Sequence, residues 1–124
     1  MNFWLVTASA LSLIICALHI FGGGPTTVPD LIKQRDAPGG VGRMTAYYAW
    51  HLVTITLAAQ ALAFWMAAQP QGAIELAWFA SLGALAFALW SVMMIAIFKL
   101  KPLLFPQWLL FFPVAIIGLV GVTL

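Results

Sequence analysis

Two histidines are the residues of this sequence that are best suited to chemistry. His19 and His51 are the only imidazoles in the chain, and each lies near the end of an apolar segment. Neutral imidazoles bind transition metals and haem iron, and they exchange protons near neutral pH. The pair therefore has three candidate roles: ligation of haem b, binding of a redox metal, and transfer of a proton or binding of another ligand.

A purely structural role for the two rings is also consistent with the sequence. Histidine is amphipathic, and it is tolerated close to a membrane interface. Each ring could simply form a hydrogen bond with a neighbouring carbonyl group, a loop residue or water. The sequence leaves this structural role open beside the cofactor hypotheses.

Other residues near the histidines favour haem over a closed zinc site. Arg43 and Tyr47 precede His51 by two helical turns and one, and both could bind the acidic propionates of haem. Zinc prefers four ligands, and Cys16 is the only obvious third one. Haem nevertheless needs more room than two helices in direct contact leave, because such helices lie about 8–10 Å apart. Two histidines also limit the chain to one haem with two imidazole ligands.

The composition indicates that these residues belong to an integral membrane protein. Of 124 residues, 65% are hydrophobic and only 6% are charged, whereas soluble domains carry about 25% charged residues. This balance excludes a soluble enzyme, a nucleic-acid-binding protein and a disordered tail. The chain has no HExxH, Walker A or nucleophile-elbow motif, so hydrolysis and phosphoryl transfer have no candidate residues.

Hydropathy predicts an all-α domain of four antiparallel transmembrane helices in an up-down bundle. The apolar segments are about 28–37 Å long as helices, enough to cross a hydrocarbon core of about 30 Å. We expect the first segment to be a mature helix and not a signal peptide, because no basic residue precedes it. The predicted spans are residues 3–21, 45–68, 74–98 and 103–124, and residues 22–44 form a long connection after the first span.

The long connection contains a candidate interfacial helix. Thr27, Pro29 and Asp30 are residue types that favour the start of a helix. They predict a short helix over about residues 28–35, which the glycine- and proline-rich residues 37–42 would end. A flexible connector is the alternative.

Small and polar residues form a stripe on the first predicted helix. Ser9, Ser12, Cys16 and His19 recur every three or four residues, so they share one face. Similar stripes run along the second helix from His51 and along the third helix. Such stripes are typical of close packing between membrane helices, so we expect them to face protein.

A second polar face lies on the second predicted helix, roughly opposite to the His51 stripe. Thr56 and Gln60 are one helical turn apart on this face. A helix with two polar or small faces is expected to contact protein on both sides. This favours a central position in the bundle, a homodimer contact or a contact with another subunit of a membrane complex.

Charges in the connections predict the orientation in the membrane. All five lysine and arginine residues lie in the first and third connections, and the positive-inside rule makes these connections cytoplasmic. Both termini then lie outside, and both histidines lie near the cytoplasmic face. We expect an N-out, C-out protein in the lipid bilayer of a bacterial inner (plasma) membrane.

These observations combine into a functional hypothesis. The sequence predicts a small polytopic membrane protein with a His19/His51 site near the cytoplasmic face that binds haem b or a redox metal. In this hypothesis both imidazoles are ligands, and Arg43 and Tyr47 anchor the cofactor. The alternative is a non-enzymatic partner subunit or small carrier without a cofactor. Whether the protein is an enzyme stays open.

Labelling of single cysteines tests the orientation. After Cys16→Ser has removed the native thiol, Gln71→Cys should react with an impermeant maleimide added to intact cells. Its connection carries no lysine or arginine and is therefore expected outside. Gln34→Cys, in the basic first connection, should react only after the membrane is permeabilised. The opposite labelling pattern would overturn the orientation and the cytoplasmic placement of both histidines.

Overall fold

The computed structural model describes residues 1–124, and its secondary structure is entirely helical. Helices cover 81% of the chain, and there is no strand, which confirms the predicted all-helical class. The elements are α1 (Phe3–Ala17), a π-helical turn (Leu18–Gly23), α2 (Gly24–Lys33), α3 (Gly40–Ala67), α4 (Ile74–Phe98) and α5 (Gln107–Thr123).

Three helices are long and apolar enough to cross a membrane. The first runs from Phe3 to Lys33 without interruption, because the π-helical turn joins α1 to α2, and the others are α3 and α4. The last helix, α5, is also apolar, but it has only 17 residues and is shorter than these three helices. Large apolar side chains cover the outer surface of the bundle, which suits hydrocarbon as the surrounding solvent. The chain is an integral membrane protein.

The first helix continues past the point at which the sequence predicts its end. Residues 22–24 are glycines, yet the helix passes through them by widening into the π-helical turn. In this turn the Gly24 N–H donates to the carbonyl of His19, and the wider geometry accommodates Pro25, which has no N–H to donate. The helix predicted over residues 28–35 is therefore the last part of α2, which ends at Lys33.

The starts of α3 and α5 also differ from the predicted spans. Helix α3 begins at Gly40, where the left-handed Gly39 (φ 82°) turns the chain into the helix. Helix α5 begins only at Gln107. Pro102 and Pro106 disfavour helical geometry in the residues before them, so the apolar residues 103–105 stay outside the helix.

Helices α1, α3, α4 and α5 pack in a ring. In it α1 contacts α3 and α5, and α4 contacts the same two helices. The interior is built from small residues, because these let helix backbones approach closely. Helix α4 contributes the clearest row, in which every member is at most 4% exposed: Ala77, Ala80, Ser81, Ala84, Ala88 and Ser91. The small-residue stripe of this helix thus lies in the packed interior.

Asn2 joins three helices at the end of the bundle that lacks lysine and arginine. Its side-chain oxygen accepts from the Leu5 N–H and caps α1. Its side-chain nitrogen donates to the Gly121 carbonyl over 2.7 Å, and its backbone N–H donates to the Ala68 carbonyl over 2.8 Å. One asparagine thereby satisfies carbonyl groups at the ends of α3 and α5.

Gly118 tests how much the fold depends on the contact between α4 and α5. A methyl group there would meet the hydroxyl of Ser81 and two ring atoms of Phe64 at 2.8 and 2.9 Å. We expect Gly118→Ala to lower the free energy of unfolding by about 1–3 kcal/mol, because overpacking moves well-packed neighbours. The measurement is thermal or denaturant unfolding of the purified protein in mild detergent.

Gly83→Ala is the matched control for this substitution. It introduces the same methyl group in a membrane helix, but nothing lies within 4 Å of the added atom. Alanine is also the better helix former, by about 1 kcal/mol, so stability should stay equal or rise. A loss of similar size in both variants would show that the contact at Gly118 has no special importance.

Candidate ligand-binding site

Side chains of α1 hold α3 in register. The Ser9 hydroxyl donates to the Ala61 carbonyl over 2.8 Å, and the Cys16 thiol donates to the Thr54 carbonyl over 3.8 Å. Seven residues separate the two donors, and seven separate the two acceptors, as expected for antiparallel helices of equal pitch. The small-residue stripe of α1 therefore faces α3.

His19 is the next donor along this helix, and it contacts Trp50. Its Nε2 lies 3.1 Å from the Trp50 carbonyl oxygen, and its ring stacks on the indole with centroids 3.9 Å apart and planes 20° apart. A carbonyl oxygen only accepts, so Nε2 carries the proton and donates, while Nδ1 is the acceptor nitrogen. The imidazole thus links the π-helical turn to α3 and keeps one ring nitrogen free.

His51 follows Trp50 in the chain but points to another side of α3. Its ring makes an edge contact with Tyr47, with centroids 4.7 Å apart and planes at 90°. The two residues meet because they are one helical turn apart. The His51 side chain is exposed. The structure therefore brings Tyr47 and His51 together.

Arg43 is occupied elsewhere. Its guanidinium donates to the Pro38 carbonyl over 2.9 Å and to the Gln34 carbonyl over 3.4 Å. These bonds fold the connection between α2 and α3 onto the first turn of α3. Arg43 thus holds a loop in place and does not contact either histidine.

A cleft of about 570 Å³ opens between α3 and α4 at the end of the bundle that carries the lysines and arginines, which we call the basic end. Aromatic rings form much of its wall: Trp50, Phe87, Trp90, Phe105 and Phe111. Only four polar residues line it, and none of them is an acid, a lysine or an arginine: His19, Thr56, Ser91 and Gln107. The arrangement is that of a small-molecule pocket, which is typically apolar with a few polar groups.

Gln60 determines where the cleft ends. Its side-chain nitrogen donates to the Ala80 carbonyl over 2.9 Å and joins α3 to α4. One turn nearer the basic end, the Thr56 hydroxyl donates to the Leu52 carbonyl of its own helix and forms no hydrogen bond with α4. The polar face of α3 thus contacts α4 at Gln60 and borders the cleft at Thr56.

A second cavity, a groove of about 470 Å³, lies between α2 and α3 and is lined by His51. Trp50 lines both cavities, whereas His19 lines only the cleft. The indole can occupy this position because Gly23 has no side chain, and a Cβ there would lie 2.8 Å from its ring. The two imidazoles line different cavities, which share Trp50. No group of three or more histidine, cysteine or acidic side chains forms a metal cluster.

Trp50 is the site residue that sequence reasoning did not single out. As a tryptophan near a span end it has the ordinary signature of an interfacial residue. Its contact with His19 depends on the π-helical turn, and the three glycines are the only residues of the sequence that indicate an irregular helix there. The aromatic cleft wall likewise combines residues from helices that are distant in sequence.

No protein-family model, curated protein or solved structure matches this chain.

Proposed function

We propose that this membrane protein binds a flat, largely apolar and uncharged molecule in the cleft between α3 and α4. The observation that carries the proposal is the aromatic cleft itself, whose volume of about 570 Å³ lies within the range of about 300–1,000 Å³ for ligand pockets. Aromatic walls favour planar ligands through stacking and burial of apolar area. No lysine, arginine or carboxylate lines the cleft, so a charged ligand would be desolvated without a partner.

The position of the cleft supports entry from the bilayer. Several of its lining residues also belong to the outer surface, with exposed fractions of 43% for Leu52, 41% for Phe87 and 58% for Trp90. An apolar molecule dissolved in lipid can therefore reach the cleft sideways, without crossing water. Such a site suits a small carrier or a sensor of membrane-dissolved molecules.

Quenching of tryptophan fluorescence by 1-bromonaphthalene tests the cleft. Trp50 and Trp90 line it, so a flat brominated ligand should quench their emission at saturating concentration. Ala49→Phe places a ring into the cleft and should weaken this quenching at least about fivefold in apparent affinity, since a loss of about 1 kcal/mol has this effect. The titration is performed on protein in lipid nanodiscs.

Ala59→Phe is the matched control, because Ala59 is an exposed alanine of the same helix that lines no described cavity. Its quenching curve should equal that of the wild type, which also corrects for partition of the probe into lipid. Identical curves for all three proteins would contradict the proposal. They would favour the alternative of a partner subunit that binds no ligand.

Haem b or a redox metal at His19 and His51 is the second candidate. It is favoured by the two imidazoles, which line two cavities that share Trp50. The fit is poorer, however, because the two rings line different cavities and the His19 Nε2 is bonded to a carbonyl. Arg43 and Tyr47, the candidate partners of the haem propionates, line neither cavity. Ligation of iron by the His19 Nε2 would require its hydrogen bond to the Trp50 carbonyl to break.

An absorption titration with haem b tests whether His19 and His51 ligate haem iron. If both histidines ligate the iron, His19→Ala and His51→Ala should each abolish the low-spin spectrum, and Arg43→Ala should weaken haem retention. A wild-type protein without a low-spin band rejects the candidate. In that case His19→Ala should cost about 1–3 kcal/mol of stability through the lost bond to Trp50, and His51→Ala should cost clearly less.

We also propose a four-span topology for the protein, which places the cleft in the bilayer. In it α5 also crosses the bilayer, both termini lie outside, and the basic end faces the cytoplasm of a bacterial inner (plasma) membrane. The support is the apolar character of α5, which is about 26 Å long at 1.5 Å per residue, and the one-sided distribution of lysine and arginine. The entrance of the cleft then lies in the cytoplasmic leaflet.

A further inference from the structure

The connection between α4 and α5 combines free cations with exposed leucines. Lys99 and Lys101 are exposed, and neither is in an ion pair, since the one salt bridge of the structure joins Arg35 to Asp36. Leu103 and Leu104 are 77% and 78% exposed. Adjacent exposed leucines are unfavourable in water and favourable in the acyl layer of a membrane. The connection therefore has one part suited to phosphate and another suited to hydrocarbon.

The backbone at Lys99 gives an independent indication. Lys99 ends α4 in the left-handed conformation (φ 51°, ψ 41°) and is the only non-glycine residue with a positive φ. Glycine adopts this conformation without steric cost and is the usual residue at such helix ends. A lysine here is sterically unfavourable, which indicates a use for its side chain.

Hydrogen bonds fix the shape of the connection. The Trp108 indole donates to the Pro102 carbonyl over 3.1 Å. The Lys101 carbonyl accepts from the backbone N–H groups of Leu104 and Phe105 over 3.0 and 3.1 Å. The backbone that carries the lysines and leucines is thus arranged before any ligand binds, which lowers the entropic cost of binding.

We propose that residues 99–104 bind an anionic phospholipid, with the ammonium groups of Lys99 and Lys101 on its phosphate and the two leucines against its acyl chains. The choice of an anionic lipid follows from charge. All five lysine and arginine residues lie at the basic end, while the acids of its connections are only Asp30 and Asp36. Basic residues beside a membrane attract anionic lipids. The inference is independent of the ligand in the cleft.

Native mass spectrometry of protein from nanodiscs with equal amounts of phosphatidylglycerol and phosphatidylcholine tests the proposal. The wild type should retain phosphatidylglycerol preferentially. Lys101→Gln and Lys99→Gly should each reduce this preference about fivefold, because each removes an ammonium group that contacts the bound phosphate, a loss of about 1 kcal/mol. Lys99→Gly should also keep or raise the melting temperature, because glycine suits the left-handed position. Lipid selectivity and stability then change independently, which a purely structural role of Lys99 would not produce.

Lys33→Gln is the matched control, since Lys33 is an exposed lysine at the end of α2 in the other basic connection. Its lipid selectivity should equal that of the wild type. An equal loss in Lys33→Gln would show that selectivity follows net charge alone and would overturn the assignment to residues 99–104. Unchanged selectivity in Lys99→Gly and Lys101→Gln, or displacement of the lipid by excess inorganic phosphate, would overturn it as well.

Discussion

The hydrogen bond and ring stack between His19 and Trp50 fix the arrangement of the basic end. Polar groups inside a bilayer must find partners within the protein, because lipid offers none. Ser9 and Cys16 of α1 and His19 of the π-helical turn meet this requirement by donating to carbonyls of α3. Ser12 donates within its own helix, to the Ala8 carbonyl. The contact of His19 holds the indole of Trp50 against Gly23. That position separates the cleft beside His19 from the groove beside His51.

The contacts of α4 differ between its two neighbours, α5 and α3. Small residues of α4 and α5 allow close packing, as at Gly118 and Ser81, and Gln60 bonds α3 to α4 near the middle. Towards the basic end, α3 and α4 carry bulky aromatic residues such as Trp50, Phe87 and Trp90. These rings line the cleft, and Phe87 and Trp90 are also exposed on the outer surface of the bundle.

Charged groups contribute little to the fold and lie almost entirely at its edge. The one ion pair, between Arg35 and Asp36, is exposed, and such pairs contribute only about 0–1 kcal/mol. Arg43 binds loop carbonyls, while Lys99 and Lys101 lie beside exposed leucines. The lysines of the last connection are exposed and form no ion pair, and Phe105 joins this connection to the wall of the cleft.

The sequence alone determined the helical class, the apolar segments and the small-residue faces, because hydropathy and helical periodicity are local properties of the chain. It also placed the two histidines at similar depth, since the first and second spans are antiparallel. It could not determine the direction in which each ring points. Successive residues of a helix differ by about 100° in direction, and the π-helical turn at Leu18–Gly23 adds a local change in register. Only tertiary packing decided that His19 meets the Trp50 carbonyl, that His51 faces another cavity, and that aromatic residues from three helices line one cleft.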